Sequence, residues 1–341
     1  MLNRTADSLY WLGRYVERAE NVARIIDENL QLTLDAPPDR QPPWQPLVNA
    51  TGDREEFTRH HGPATQENTL EFLTFDPHNP NSILSCLQAA RRNARSLRDV
   101  ISSEMWLQLN KFYLKVKAEA EAAKDPGPAT GFFHEVRLSS HLFTGVSEAT
   151  MTHDTAWHFL QIGRLIERAD LIARILDLRD YLLPLTPVEK ETSFDPIPCG
   201  AVLRSAAAAE MFGKQHGRIS LRAVIDFLVL DPRFPRSIRF CLRAAHDSLR
   251  AVSGTPPDPA RYPAGKLLGR ICADLEKITV DDILYCGLHE YLDHFQIKLN
   301  QTAQAISETF FLFDSPLVLT ANSTNGSAPE KTCPPATGVP V

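Results

Sequence analysis

The sequence predicts an all-α protein made of two tandem, related helical bundles, and three observations carry the prediction. A fifteen-residue run at Gly13–Asp27, GRYVERAENVARIID, returns at Gly163–Asp177 as GRLIERADLIARILD, with nine of fifteen positions identical. A second ungapped repeat pairs FLTFDPHNPNSILSCLQAA (Phe72–Ala90) with FLVLDPRFPRSIRFCLRAA (Phe227–Ala245), eleven of nineteen residues matching. Finally, almost no segment shows the strict apolar–polar alternation of a half-buried strand. The expected architecture is an internal duplication with roughly 10–12 helices. The first repeat covers residues 1–150 and the second 151–314, able to pack as one domain, and 315–341 form a disordered tail.

The elements follow in order. Leu12, Val16, Ala19, Ala23, Ile26 and Leu30 recur at steps of three and four, one apolar helix face. The first helix should start near Thr5 as N-cap and run to about Leu34, ended by the proline-rich APPDRQPP. A helix ending at His61-Gly62 comes next, then a shorter one closed by the Asp76-Pro77 turn. Ser82 stands where it can cap the following helix. One or two helices then extend to the Asp125–Pro128 loop, and a short helix from Gly131 to about Val146 leads into the second copy. There Ile162, Ile166, Ala169, Ala173 and Leu176 repeat the apolar face. His216-Gly217, Asp231-Pro232 and Ser237 repeat the helix stop, turn and cap. A break at Gly254–Tyr262 precedes a helix at Ala264–Glu276 and a long last helix from Asp281 to Phe313. From Ser315 the chain is poor in apolar residues, the composition of disorder.

Composition narrows the function classes. With 341 residues, 43% hydrophobic and 23% charged, the chain reads as an ordinary globular protein. A net charge of −6 supplies no general attraction to nucleic acid or membrane surfaces. No apolar run approaches the ~20 residues of a membrane span, and charges from the fourth residue on leave no signal-peptide core. The expected location is the cytoplasm. The six cysteines are scattered without a CxxC spacing, and Cys86 and Cys241 occupy matching apolar positions, the pattern of core thiols.

The repeated run keeps its polar face as well as its apolar one. Arg14, Glu17, Arg18 and Arg24 return as Arg164, Glu167, Arg168 and Arg174, and Glu20 returns as Asp170. Two readings are open. As a binding site, the arginines offer planar forks suited to carboxylate or phosphate, for an anionic ligand or a partner. As structure, two long helices packed about a pseudo-twofold axis would pair Glu17 with Arg168 and Glu167 with Arg18. Within one helix, Arg14–Glu17 and Glu20–Arg24 also stand at pairing distance. Asn21 against Leu171 marks one difference between the copies.

Other chemistries have weaker signals. His61 and His216 sit where a histidine can cap a helix C-terminus. His289-Glu290…His294 has HExxxH spacing, which puts the histidines about 140° apart around a helix, unlike the one-face HExxH of zinc proteases. The Glu-x-x-His pattern of di-iron bundles is missing, so no metal is expected. No GxxxxGK or GxGxxG occurs, so no nucleotide cofactor is expected either. Arg91, Arg92, Arg95 and Arg98 resemble a solvated helix flank more than a nucleic-acid face.

The stretches TADSLYWLGRYVERAENVAR, ARSLRDVISSEMWLQLN, HEVRLSSHLFTGVSEATMTHDTAWHFLQIGRLIERADLIAR and GLHEYLDHFQ together resemble the alpha-E family, bacterial all-helical domains with a Glu-Arg motif. The likeness runs from about Met1 to Phe313. It implies association with a circularly permuted ATP-grasp protein, an enzyme class joining a carboxylate to an amine through an acyl phosphate. A transglutaminase-like peptidase is implied as a further partner. The chain is then expected to be a non-catalytic partner of an amide (peptide) ligase system, its Arg/Glu faces positioning an anionic peptide, amino acid or the ligase. The alternative is an enzyme acting on the ligase product by acyl or amide transfer or hydrolysis, with Glu17 or Glu167 as acid/base. Glu104, in a motif with no counterpart in the second half, is a further catalytic candidate.

Overall fold

A computed structural model describes residues 3–37, 41–122, 131–177, 196–254 and 262–312. The expected tail beyond residue 314 lies outside the described residues.

The described chain is all-α. Its helices are α1 (Asn3–Asp35), α2 (Gln45–Thr51), α3 (Arg54–His61), α4 (Gln66–Thr74), α5 (Ile83–Ser96), α6 (Ser103–Ala122), α7 (Phe132–Thr150) and α8 (Thr155–Asp177). They continue as α9 (Pro196–Ser205), α10 (Ala209–Gln215), α11 (Leu221–Ile225), α12 (Ile238–Ser253), α13 (Pro263–Lys277), α14 (Val280–Cys286) and α15 (Leu288–Phe310). A π-helical turn, Asp226–Leu230, extends α11. Fifteen α-helices among the described residues exceed the expected 10–12, because turn chemistry cuts the chain more finely than periodicity suggests.

The centre is a crossed pair, α1 and α8. In the first half α1 packs on α5 and α7, and α6 closes the group against α5 and α7. In the second, α8 packs on α12 and α15, and α13 closes that group. A single apolar cluster runs through both, from Leu9 and Ile26 in α1 to Ile162 and Ile166 in α8, Leu242 in α12 and Leu299 in α15. The middle of α1 is buried on nearly all sides, so its polar face meets protein where a lone amphipathic helix would meet solvent.

Local chemistry sets the joints. Ser82 and Ser237 are N-caps, accepting from the backbone N–H groups of Ser85 and Phe240. Each hydroxyl also donates to the backbone carbonyl of the aspartate that opens the turn, Asp76 or Asp231. Those aspartate side chains accept from backbone N–H groups two residues on, at 2.8 Å to His78 and 2.6 Å to Arg233. The repeated DPxxPxS pattern is thus one folded unit, an Asx turn latched to a serine cap. It delivers the residues just before the caps, Asn81 and Arg236, to the centre of the molecule.

Two expectations need correction. Thr5 lies inside α1, which begins by Asn3. The last helix is two, parted at Gly287, whose φ of 95° only glycine adopts freely. The histidines do stand at helix C-termini: His61 is the last residue of α3, and His216 is the C-cap of α10, its backbone N–H donating to the Phe212 carbonyl. Their rings also pack, His61 on Phe57 at 5.0 Å and His216 on Phe212 at 4.6 Å, and the His61 carbonyl accepts from Asn68. The cysteine reading holds. Cys86 and Cys241 are free and buried, and burial pushes their thiols up to about 12 and about 11.

Candidate functional site

The site begins with two glycines. A Cβ at Gly13 would fall on the Leu160 carbonyl oxygen, and one at Gly163 on that of Tyr10. The bare backbones of α1 and α8 therefore touch at their crossing. One turn beyond it on each helix stands a glutamate, and close approach brings each within reach of the opposite helix.

Two bidentate ion pairs result. Arg168 grips Glu17 through Nε and Nη2 at 2.6 and 2.8 Å. Arg18 grips Glu167 through Nε and Nη2 at 2.6 and 2.9 Å. This is the reciprocal exchange the sequence allowed as its structural reading. Both carboxylates are almost fully buried, Glu17 at 3% and Glu167 at 5% exposure. Fork-to-carboxylate geometry is the strongest form of this contact and fixes both distance and register.

Around these pairs the halves differ. Arg14 adds a third bond to Glu167 at 2.6 Å, its guanidinium over the rings of Trp11 and Tyr10. Its counterpart Arg164 does not reach Glu17. It donates to Gln161 and lies 3.5 Å from Glu148. A cavity of about 10 Å³, enough for one water, lies between Glu17, Ser147, Gln161 and Arg164. Glu20 accepts from Arg24, and both of its oxygens accept from Nη2 of Arg236, each at 2.8 Å. Asp170, in the matching place, accepts from Arg174 at 3.0 Å. Asn21 accepts from Arg236 at 3.3 Å, whereas Leu171 packs in the apolar core.

Electrostatics follow from this wiring. Burial alone would raise Glu167, but the Arg18 and Arg14 guanidiniums outweigh it and hold the carboxyl at about 2. Burial likewise opposes ionisation of Glu20, and Arg236 and Arg24 overcome it, keeping Glu20 well below the carboxylate range. Arg14, Arg18 and Arg168 are raised against the effect of burial by their glutamates. Arg24 is lowered by burial, with Arg236 adding like-charge repulsion against the pull of Glu20. Arg164 is lowered by burial and by Arg168.

All ten residues of the doubled motif thus lie on the two central helices, and most join one ionic network. Glu104 does not; it is exposed in the first turn of α6. The sequence reading missed Asn81 and Arg236. Asn81 accepts from Arg18 at 2.6 Å and donates to Asp53 at 2.7 Å. The signal was present: these two residues face each other in the second repeat alignment, directly before the matched serine caps, yet differ in kind. Among the described residues no three His, Cys, Asp or Glu side chains converge as a metal set, and no helix is long and apolar enough to cross a membrane.

A family model described as “a predicted alpha-helical domain with a conserved ER motif” matches residues 1–311. The chain belongs to the Alpha-E family. Glu17-Arg18 and Glu167-Arg168 are the only Glu-Arg dipeptides in this Alpha-E sequence, and they are the ones that exchange partners at the crossing. An uncharacterised protein of Mycobacterium bovis is 25% identical over 333 residues, covering 90% of this chain and 36% of the relative. An uncharacterised protein of Mycobacterium tuberculosis strain H37Rv is 24% identical over the same length and coverage. The Alpha-E chain therefore spans about a third of the length of the curated relatives it matches. No solved structure matches it significantly.

Proposed function

We propose that this Alpha-E chain is a non-catalytic helical partner in an ATP-grasp amide ligase system, and that its doubled Glu-Arg motif is the clamp that holds its own central helices, α1 and α8, in register. The observation that carries the reading is the saturation of both motif carboxylates. Glu17 has both oxygens in the fork of Arg168, and Glu167 has both in bonds to Arg18 and Arg14. A general acid must hold a proton near working pH and a general base needs a free lone pair aimed at substrate. A carboxylate at about 2 inside two guanidiniums offers neither. Arg18 and Arg168 are likewise engaged, so an anionic peptide or amino acid would have to displace a buried partner to reach them. Occurrence of similar sequence as about a third of longer relatives fits a module that works beside other domains.

The test pairs the full chain with the circularly permuted ATP-grasp protein encoded nearest to it. Complex formation and ATP-dependent amide synthesis are measured for each protein alone and for the mixture. The expected result is a stable complex and no turnover by this chain alone. Hydrolysis or transfer of the amide product by this chain alone, abolished by Glu17→Gln in a folded variant, would overturn the proposal in favour of an enzyme.

A further inference from the structure

We infer that the outward surface of α5, α6 and α7 is a docking site for an acidic amphipathic helix of a partner protein. This deepens the partner reading by assigning the surface and the chemistry it recognises.

Two independent features coincide there. One is a basic ridge. Arg91, Arg92, Arg95 and Arg98 lie along the end of α5 and the turn after it, in a chain whose net charge is −6. None of the four pairs with a carboxylate among the described residues, whereas the motif arginines Arg14, Arg18, Arg24, Arg164, Arg168 and Arg174 all do or lie beside one. Two are held in place by aromatic rings. Arg91 lies 5.0 Å from the Tyr113 ring and 5.8 Å from that of Trp106, and Arg98 lies 5.4 Å from Trp106. The Arg91 Nε donates to Asn110 at 2.7 Å. Forks fixed this way lose little freedom when they take up a carboxylate, and stacked Arg and Trp are the residue types that dominate binding hot spots.

The other feature is apolar. Leu107 and Leu114 are 63% and 49% exposed on one face of α6, and Leu138 and Leu142 are 47% and 54% exposed on one face of α7. The two helices are held side by side by Lys115 to Glu135 at 2.5 Å and by Gln108 to the Ser139 carbonyl at 3.3 Å. Two leucine pairs at helical spacing on adjacent, roughly antiparallel helices present exposed apolar rows that suit leucines at i, i+3, i+4 and i+7 of an incoming helix. The surface has no sheet edge, so a peptide docking here must satisfy its own backbone, which a helix does. With its apolar stripe over the leucines, such a helix turns its flank toward the arginine ridge, and acidic residues there complete the pairing.

Nucleic acid suits the surface less well. The ring faces of Trp106 and Tyr113 are occupied by guanidiniums, which leaves little room for base stacking. The second half also lacks the ridge: aligned with Arg91, Arg92 and Arg98 are His246, Asp247 and Ser253.

The test uses the full chain, Arg92→Glu/Arg95→Glu and Leu107→Asp/Leu138→Asp. All four positions are exposed, and circular dichroism with thermal melting verifies folding. Binding is read by fluorescence anisotropy against a labelled synthetic helix with leucines on one face and glutamates on the other, and against its lysine counterpart. The glutamate helix should bind the native chain, at least about tenfold more tightly than the lysine helix. Each variant should lose at least about tenfold. Equal binding of both helices, unchanged binding by folded variants, no binding, or preference for single-stranded RNA would overturn the inference. So would self-association abolished by the leucine variant, which would make a second copy the occupant. The same variants are then tested against the ATP-grasp protein. Retention of that complex by both would overturn the surface and leave the partner reading standing. No complex with the native chain, while the glutamate helix binds, would overturn the partner reading and leave the surface standing.

Discussion

At Glu167 a buried carboxylate meets two guanidiniums in a water-poor crossing, so removing it strands Arg14 and Arg18 without compensation. Glu167→Gln should cost about 3–5 kcal/mol, the range for breaking a buried pair from one side. Urea unfolding at pH 7 measures it, and a loss under about 1 kcal/mol would mean that the pair is solvated. The same group gives a pH signature. Its folded value of about 2 lies below the ordinary 4.5, so its contribution is fully present above pH 4.5. That contribution, about 3 kcal/mol, is lost as pH falls from 4.5 through about 2. Glu20 works in the same direction. Stability of the native chain should fall more steeply over this window than that of Glu167→Gln; superimposable slopes would refute the assignment. The charge swap Glu17→Arg with Arg168→Glu should recover only part of what each single change loses, because Arg236 lies 3.9 Å from Glu17 and would face the new cation.

Helices α1 and α8 depend on glycine at their crossing. Gly13→Ala or Gly163→Ala puts a methyl group onto a backbone carbonyl that cannot move without parting the helices. Either should destabilise by at least about 1–3 kcal/mol, the usual range for over-packing. Gly145, inside α7, has open space around it, and Gly145→Ala should instead stabilise by about 0.5–1 kcal/mol. Melting temperatures moving in opposite directions would verify both; a stable Gly163→Ala would show that the crossing is looser than described. Both crossing glycines were visible as identities in the repeated run. Their purpose was not, because a helix glycine reads the same whether it meets solvent or another backbone.

At the scale of the whole molecule, the two halves share their most polar contact and one apolar core. Glu17 in the first half has its partner in the second, and Glu167 the reverse. Fragments 1–150 and 151–341 expressed separately should therefore lack a cooperative melt, and should regain helicity and co-elute when mixed. A cooperative transition for 1–150 alone would make the first half an independent domain. This mutual dependence also explains how the reciprocal pairing could be read from sequence. Two near-identical helices facing each other can bury both motif glutamates by exchanging arginine partners.

Local regularity determined what could be read without coordinates: the helical period of α1 and α8, the stop at Gly62, the serine caps at 82 and 237, and the doubled Glu-Arg pair. Each depends on residues within a few positions of one another, so spacing alone encodes it. Only the tertiary structure decided which glutamate receives a third guanidinium, that Arg164 turns to Gln161 and Glu148, and that Asn81 and Arg236 reach the ionic centre. Those outcomes depend on side chains delivered by α5, α7 and α12 and the turns before them. Two helices with almost the same sequence thus acquire different surroundings, because burial makes each charge answer to whatever neighbour the fold places beside it.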